Sequence, residues 1–218
     1  MSFFPLTGPE GWLRHLPFIP LHWFVYSLAT PGNYTWTNLL TTTDRISGKG
    51  TMHQEKNWGD SFPPSWIWTE GTGGDTTASS GVAYAGSFGV VEIGPLTIPA
   101  HLYGYRNYNK NISLDFRPDN SYTSTNMDAC LGKFSVVIRS IRYKVEINIV
   151  APPSTLGKCL YGPTVTGFLP VCVESFVATT ETVVYKLTYS GYEKIDYSFI
   201  KKAALEFGSG YICSSGPC

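Results

Sequence analysis

The chain has 218 residues, and 16 Lys plus Arg balance 16 Asp plus Glu, so its formal net charge at pH 7 is zero. This balance disfavours a nucleic-acid binder or a protein held on anionic lipid by a polybasic segment, because both draw on an excess of Lys and Arg. Hydrophobic residues make up 43% of the chain and charged residues 15%, which excludes an intrinsically disordered protein. An aromatic fraction of 15%, with 22 Gly and 15 Pro, favours an all-β protein with many turns.

The first half of the chain is predicted to form strands separated by turns. Leu21–Leu28 is the first, and we predict that the Pro31-Gly32 turn ends it. Gly94-Pro95 is predicted to turn a hairpin between its two flanking strands. The other predicted strands are Tyr34–Leu40, Ile46–His53, Trp66–Thr69, Gly81–Ile93, Leu96–Tyr103 and Ile112–Phe116.

The second half repeats this pattern. Tyr143–Val150 alternates apolar and polar residues, as a half-buried strand does. Further strands are predicted at Phe134–Ile138, Phe168–Val173, Phe176–Tyr189 and Tyr192–Phe199, and Lys201–Phe207 is either a closing strand or a single helical turn. Helical periodicity is nearly absent and no linker is visible, so we predict one all-β domain over residues 1–218, built as an antiparallel β-barrel or sandwich.

No segment is long enough to span a bilayer, since the best apolar run, Phe18–Ala29, is short and contains Pro20 and His22. The five cysteines have no metal-ligand spacing. Cys213 and Cys218 could close a small disulfide loop in an oxidising compartment, and Cys172 is predicted to be a buried small apolar residue. No Ser- and Arg-rich transit segment is visible, and the composition favours no particular compartment.

The stretch from Gly50 to Trp68 combines charged and aromatic residues. In an extended strand His53, Glu55 and Asn57 share one face, so His53 and Glu55 could reach a common cavity. A carboxyl group near aromatic rings has its pKa raised, which would make Glu55 an acid able to protonate a substrate. The alternative is structural: Glu55 pairs with a neighbouring base, and His53 is an ordinary strand histidine.

Glu55-Lys-Asn-Trp-Gly59, followed by Phe62-Pro63 and Trp66-Ile-Trp68, resembles the signature of the tocopherol cyclase family. Three further blocks resemble that family in the same order. They are Leu21-His22-Trp23, then Tyr161-Gly-Pro-Thr164 with Gly167-Phe168 and Cys172-Val-Glu-Ser175, then Ala203-Ala-Leu-Glu-Phe-Gly-Ser-Gly210. The resemblance covers nearly the whole chain but only the C-terminal half of the family, so the N-terminal half is absent here. Val173-Glu174 stands where the family has Arg-Asp.

The resemblance implies a lipocalin-like barrel or sandwich and ring-closing chemistry on a prenylated hydroquinone. An alkene of the tail is protonated, and the phenol oxygen captures the tertiary cation to form a chromanol. This chemistry needs an acid, a dry pocket and aromatic faces, and no metal or redox cofactor. The expected partner is a hydrophobic prenylated aromatic or lipid, bound by a protein that is soluble or peripheral to a lipid surface.

Glu55 is the first candidate for the acid, and His53 and Asp60 are the alternatives. Asp60 follows Gly59 and could instead cap the turn before Phe62. The candidate substrate-binding residues are Lys56, Asn57, Trp58, Trp66, Trp68, His22 and Trp23, of which the tryptophans could equally belong to an ordinary core. A non-catalytic carrier of a prenyl lipid is the alternative function, since the same apolar barrel would serve it.

Overall fold

The computed structural model describes residues 8–17, 19–41, 44–73, 81–164, 167–216 and 218. Nearly all regular structure in these ranges is β. The strands are β1 Leu21–Thr37, β2 Arg45–Gly59, β3 Ser65–Thr72, β4 Val82–Ile93, β5 Leu96–Asn107, β6 Ile112–Phe116, β7 Ser121–Asp128, β8 Lys133–Ser140, β9 Tyr143–Val150, β10 Leu160–Thr164, β11 Gly167–Thr188 and β12 Gly191–Ser209. Two short 3-10 helices cover Gly11–His15 and Pro153–Thr155. Within the described ranges no helix has the length and apolarity needed to cross a membrane.

All strand pairs are antiparallel, and they form one large sheet and one separate hairpin. The large sheet has the order β6-β5-β4-β3-β12-β11-β9-β8-β7, with β10 added beside β11. The hairpin is β1 paired with β2. Because β6 and β7, at the two ends of the order, are not paired in the described part of the chain, the sheet stays open. The predicted all-β fold is confirmed, as a lipocalin-like sandwich rather than a closed barrel.

The large sheet bends so that one of its faces encloses the main core. Phe88 of β4 lies against Phe134 of β8 with ring centroids 5.2 Å apart, although four strands separate β4 from β8 in the sheet. The Tyr84 hydroxyl is 2.6 Å from Thr180 Oγ1 across the same interior. Burial of large apolar side chains such as Leu205 and Phe207 stabilises this layered arrangement.

The opposite face of β3–β5 carries a second, smaller apolar cluster, which the hairpin covers. Trp23, Val25 and Leu28 of β1 pack there against Ala83 and Ala85 of β4. Side chains alternate along a strand, so β3 supplies Ile67 to the main core and Trp66 and Trp68 to the hairpin side. The base of the hairpin and this face of the sheet enclose the candidate site.

Several strands are longer than the sequence predicts. β1 continues through Pro31 and Gly32, which pair with Thr51 and Gly50, so the predicted turn at this position is wrong. Proline is tolerated there because β1 is paired on one side only. The predicted strands at Phe168–Val173 and Phe176–Tyr189 are one strand, β11, and those at Tyr192–Phe199 and Lys201–Phe207 are β12. Bulges in the β11–β12 ladder interrupt the alternation that the prediction relied on.

The predicted hairpin around Gly94-Pro95 is confirmed as β4 and β5. Two strands were not predicted, β7 and β10. β7 consists mainly of Ser, Thr, Asn and Tyr, ends in Met127 and Asp128 and is largely exposed, so its sequence has no apolar alternation. β10 contains Gly162 and Pro163, which are typical of turns.

Cys213 and Cys218 are not bonded to each other, so the small disulfide loop that the sequence allowed does not form. Cys130 is bonded to Cys213 and Cys159 to Cys218, at sequence separations of 83 and 59. The C-terminal residues lie beside strands that are distant in sequence, and that proximity decides the partners. Cys172 is free and buried, as predicted.

Candidate functional site

A cavity of about 440 Å³ lies between the base of the β1–β2 hairpin and the outer face of the large sheet. Its lining is mainly apolar and aromatic, with a few carboxylates. The apolar lining includes Phe62, Trp66, Trp68, Leu102, Leu160 and Val171, and the polar lining includes Asn57, Glu55, Glu174 and Glu206. A mainly apolar hollow with a few convergent polar groups is the common form of a small-molecule site.

The register of the sheet brings two of these carboxylates together. Glu206 of β12 is paired with Trp68 of β3 on one side and with Glu174 of β11 on the other. Residues directly opposite each other across a sheet point to the same face, so the three side chains form one row along the cavity. Two like charges in such a position repel, which favours protonation of at least one carboxyl group.

Of the two facing carboxyl groups, Glu206 is the one with neighbouring hydrogen-bond donors. Its Oε1 accepts a hydrogen bond from the indole Nε1 of Trp66, which lines the same cavity. The thiol of Cys172 is a second donor, and burial raises the pKa of that thiol, so it remains protonated. Burial raises the pKa of Glu206 above the ordinary value, and these two donors offset the effect only in part. A proton is therefore held more firmly at Glu206 than at an exposed glutamate.

The pKa of Glu174 is also raised above that of an ordinary glutamate. Burial raises the pKa of Glu174 to about 7, and the charges of Glu206, Glu70 and Glu55 add to the effect. A carboxyl group with this pKa is half protonated near neutral pH, when an exposed glutamate would be almost fully ionised. Glu174 is therefore a carboxylic acid that keeps about half of its protons at neutral pH, at the edge of an apolar cavity.

A charged cluster on β2 and β3 borders the cavity. His53 Nε2 is 2.9 Å from Glu55 Oε2, and His53 Nδ1 is 2.9 Å from Glu70 Oε2. Burial alone would lower the pKa of His53, but the two carboxylates reverse this and raise it to about 9. His53 is thus an imidazolium at neutral pH, and the cluster of His53, Glu55 and Glu70 carries one net negative charge when both carboxylates are ionised. The Trp68 indole Nε1 also donates to Glu55 Oε2, at 3.3 Å.

The remaining sequence-predicted residues divide between the cavity and the surface. Trp23 and Asn57 line the cavity with Trp66 and Trp68. His22 points to the other side of β1, where it stacks on Trp58 with ring centroids 5.4 Å apart. Its Nδ1 lies 2.9 Å from Glu10 Oε2. The structure therefore places His22 and Trp58 outside the cavity lining.

Lys56 and Asp60 are exposed. Lys56 Nζ is 5.7 Å from the centroid of the Trp58 ring, on the outer side of the hairpin. The backbone N–H of Asp60 donates to the Pro20 carbonyl at 2.9 Å, which closes the base of the hairpin. Neither side chain is part of the cavity lining.

Sequence reasoning missed Glu70, Glu174 and Glu206 as site residues. Glu174 and Glu206 lie within the motif blocks quoted above, but their partnership depends on strand register. One signal was available: Glu206 is a lone charge in the small and apolar run from Ala203 to Gly210. A carboxylate in such a strand needs either a partner or a function. Among the described residues no group of three or more His, Cys, Asp or Glu side chains could hold a metal ion.

Comparisons with known proteins identify the family. The family model described as tocopherol cyclase-like matches residues 6–209. The chain is 26% identical over 213 residues to a chloroplastic tocopherol cyclase of Zea mays, and the match covers 92% of this chain and 42% of that protein. A crystal structure from Nitrosomonas europaea, described as that of a candidate AttH, is similar with a TM-score of 0.38 and 11% identity, over 88% of this chain and 53% of that one. The chain spans less than half the length of its maize relative. The family model nevertheless covers nearly all of this chain, which therefore belongs to the tocopherol cyclase-like family.

Proposed function

We propose that the cavity binds a prenylated hydroquinone and closes a chromanol ring on it. The observation that carries this proposal is the pair of facing carboxyl groups, Glu174 and Glu206, at an apolar, tryptophan-lined cavity, with the pKa of Glu174 raised to about 7. Family membership supports the proposal, since the maize relative is named a tocopherol cyclase. The reaction is an isomerisation, so the atoms of the substrate and the product are the same.

The protonated carboxyl of Glu174 donates its proton to the less substituted carbon of the tail alkene. A tertiary cation forms on the neighbouring carbon, and the phenol oxygen attacks it to close the ring. The phenol O–H proton is released as the C–O bond forms, and it returns to the carboxylate. Glu206 faces Glu174 across the ladder and accepts a hydrogen bond from Trp66, and its negative charge favours the protonated form of Glu174.

Trp66 and Trp68 supply aromatic faces beside the acids. A carbocation is attracted to the face of an indole ring, and the apolar lining excludes water that would capture the cation first. The hydrogen bond from Trp66 to Glu206 and that from Trp68 to Glu55 fix the orientation of both rings. Each tryptophan therefore has its polar end bound, and the Trp66 ring also stacks on Phe62 with ring centroids 5.2 Å apart.

His53 and Glu55, with Glu70, act through the charge they place at the cavity edge. The net negative charge of this cluster favours the protonated form of Glu174, because an ionised Glu174 would be repelled by it. We therefore assign the proton transfer to Glu174, and we assign to His53 and Glu55 a role in keeping that acid protonated.

The direct test is to incubate the purified chain with a prenylated hydroquinone in heavy water. Ring closure by this route leaves one non-exchangeable deuterium on the former alkene carbon, so the chromanol is one mass unit heavier than the substrate. Chromatography separates this product from the isomeric hydroquinone. We expect labelled chromanol from the wild-type chain, and a loss of about 100-fold or more in rate for Glu174→Gln.

The matched control is Glu92→Gln, because Glu92 is an exposed glutamate of β4 that does not line the cavity. It should leave the rate unchanged. Absence of the chromanol with the wild-type chain, alone and with its upstream coding sequence added, would rule out the enzymatic proposal. Full activity of Glu174→Gln would instead rule out the assigned acid.

A non-catalytic carrier is the second candidate. It is favoured by the mainly apolar lining of the cavity, which would also hold a hydrophobic prenyl lipid without any reaction. Tight binding of the hydroquinone without any product, unaffected by Glu174→Gln, would support the carrier.

A further inference from the structure

An exposed turn of the large sheet carries a modification motif outside the cavity. Asn111-Ile112-Ser113 has the form Asn-x-Ser, in which x is not proline, and this is the acceptor motif for N-linked glycans. Asn111 is the last residue of the turn that joins β5 to β6, and Asn107 pairs with Ile112 at the base of that turn. Asn111 and Ser113 are both exposed. The motif therefore lies where the folded chain leaves room for a large polar group.

The conformation of the turn presents Asn111 to solvent. Lys110 Nζ is 2.9 Å from Asp196 Oδ1, and the Lys110 backbone N–H donates to Asn107 Oδ1 at 3.1 Å, so the residue before Asn111 is fixed to the sheet. Asn111 has a φ of 54°, in the left-handed region that asparagine adopts more readily than most residues. In the described part of the chain β6 ends the sheet order and is paired with β5 alone. A glycan at Asn111 would therefore meet no further strand beyond β6.

The disulfides are an independent indication of the compartment in which the chain folds. Cys130 is bonded to Cys213 and Cys159 to Cys218, and the free Cys172 is buried. Disulfides persist in oxidising compartments such as the ER lumen and are rare in the cytosol. In eukaryotic cells the ER lumen is also where glycans are transferred to Asn-x-Ser motifs. One compartment therefore accounts for both the bonds and a glycan.

The chain has a second motif of this kind, Asn33-Tyr34-Thr35, in a different structural setting. Asn33 lies within the β1–β2 ladder and not in a loop. The Thr35 hydroxyl is 2.9 Å from Ser47 Oγ on the neighbouring strand. Glycan acceptors are typically found in surface loops, which favours Asn111 over Asn33.

We propose that Asn111 is the acceptor of an N-linked glycan. The side-chain amide nitrogen of Asn111 forms a bond to the anomeric carbon of an oligosaccharide that is carried on a lipid pyrophosphate. The bond from that carbon to the phosphate oxygen breaks, the lipid pyrophosphate leaves, and the amide nitrogen loses one proton. A separate transferase catalyses the step, so this chain supplies only the acceptor. The site goes beyond the proposed function and is independent of it, because Asn111 does not line the cavity.

The test uses the full chain isolated from the cells that make it. An amidase that cleaves the bond between asparagine and glycan leaves an aspartate at the acceptor, and in heavy-oxygen water it labels that carboxyl group. We expect the amidase to lower the mass of the protein by about 2 kDa, the size of a core glycan. Peptide mass spectrometry should then find the heavy-oxygen label at position 111.

Two substitutions of Ser113 form a matched pair. Ser113→Ala removes the motif but keeps Asn111 and its backbone conformation, so it should abolish both the mass change and the label. Ser113→Thr keeps the motif and should retain both. Because Ser113 is exposed, both variants should unfold at the wild-type temperature, which thermal unfolding checks. Thr35→Ala removes the other motif and should leave the label at position 111 unchanged.

Absence of the label at position 111 in the wild-type protein would overturn the assignment, whatever the state of the disulfides. A mass change that Thr35→Ala removes and Ser113→Ala does not would overturn it as well, in favour of Asn33. Ring closure and ligand binding should be the same before and after the amidase, since the turn lies outside the cavity lining. A failure to form chromanol therefore counts against the proposed function alone, and the peptide spectrum alone decides the glycan.

Discussion

Glu174 and Glu206 face each other directly across the ladder between β11 and β12. Two carboxylates in this position, half-buried beside tryptophan rings, do not both ionise easily, and the pKa of each is raised. The pair titrates as a unit, so the last proton leaves near or above neutral pH. This behaviour gives the cavity an acid at the pH where an isolated glutamate has none.

The pH dependence of ring closure follows from this pair. The pKa of Glu174 is raised to about 7, so the proton donor is present below pH 7 and is lost as the pH rises through that value. We expect the rate to fall about tenfold for each pH unit above neutrality, with a plateau on the acid side. The rate measured from pH 5 to 9 tests this. A rate that rises with pH would mean that a base, and not an acid, limits the reaction.

The His53 cluster should make stability depend on pH in the alkaline range. The pKa of His53 is raised from 6.5 to about 9 in the folded chain, so the folded state binds the proton more tightly than the unfolded state does. The resulting stabilisation is complete below pH 6.5 and is lost as the pH rises through 9. We expect His53→Gln to lower stability by about 1–2 kcal/mol at pH 6 and by much less at pH 10.

Thermal unfolding at the two pH values measures this difference. His15→Gln is the control, because His15 is exposed and lies outside the cluster. If the two substitutions change the pH profile equally, the ion pairs of His53 do not contribute to stability.

Gly208 should not tolerate a side chain. A Cβ atom built on Gly208 would lie 1.9 Å from Cε2 of Trp66, whose ring packs directly on the glycine. We expect Gly208→Ala to displace Trp66, to weaken ligand binding and to destabilise the fold by about 1–3 kcal/mol. Gly32→Ala is the control, since a Cβ at Gly32 meets nothing within 4 Å. Quenching of tryptophan fluorescence by a bound quinone reports binding, and unchanged quenching in Gly208→Ala would contradict the packing described.

The two disulfides should contribute measurably to stability. They close loops with separations of 83 and 59 residues, for which the chain-entropy model gives about 4 kcal/mol each. We expect dithiothreitol to lower the melting temperature by several degrees, and the Cys130→Ser, Cys213→Ser variant to show part of that loss without reductant. A melting temperature that reductant does not change would mean that the bonds are not formed in the purified chain.

The elements that sequence reasoning predicted are those fixed by local chemistry. The β4–β5 hairpin follows from Gly94-Pro95 between two apolar runs, and the contact of His53 with Glu55 follows from their spacing of two along one strand. The opposition of Glu174 and Glu206 has no local signal, because their strands meet in a long hairpin whose register is shifted by several bulges. The disulfide partners were not predictable for the same reason, since Cys159 and Cys218 are brought together only by the complete fold.

The alternation of side chains in β11 and β12 has a practical consequence for producing this protein. A slip of one residue in either strand would turn its glutamate toward the interior and present Val173 or Phe207 to the ligand instead. Such a misaligned product would keep its β-rich circular dichroism spectrum, so refolded batches need a ligand-binding assay before they are judged native.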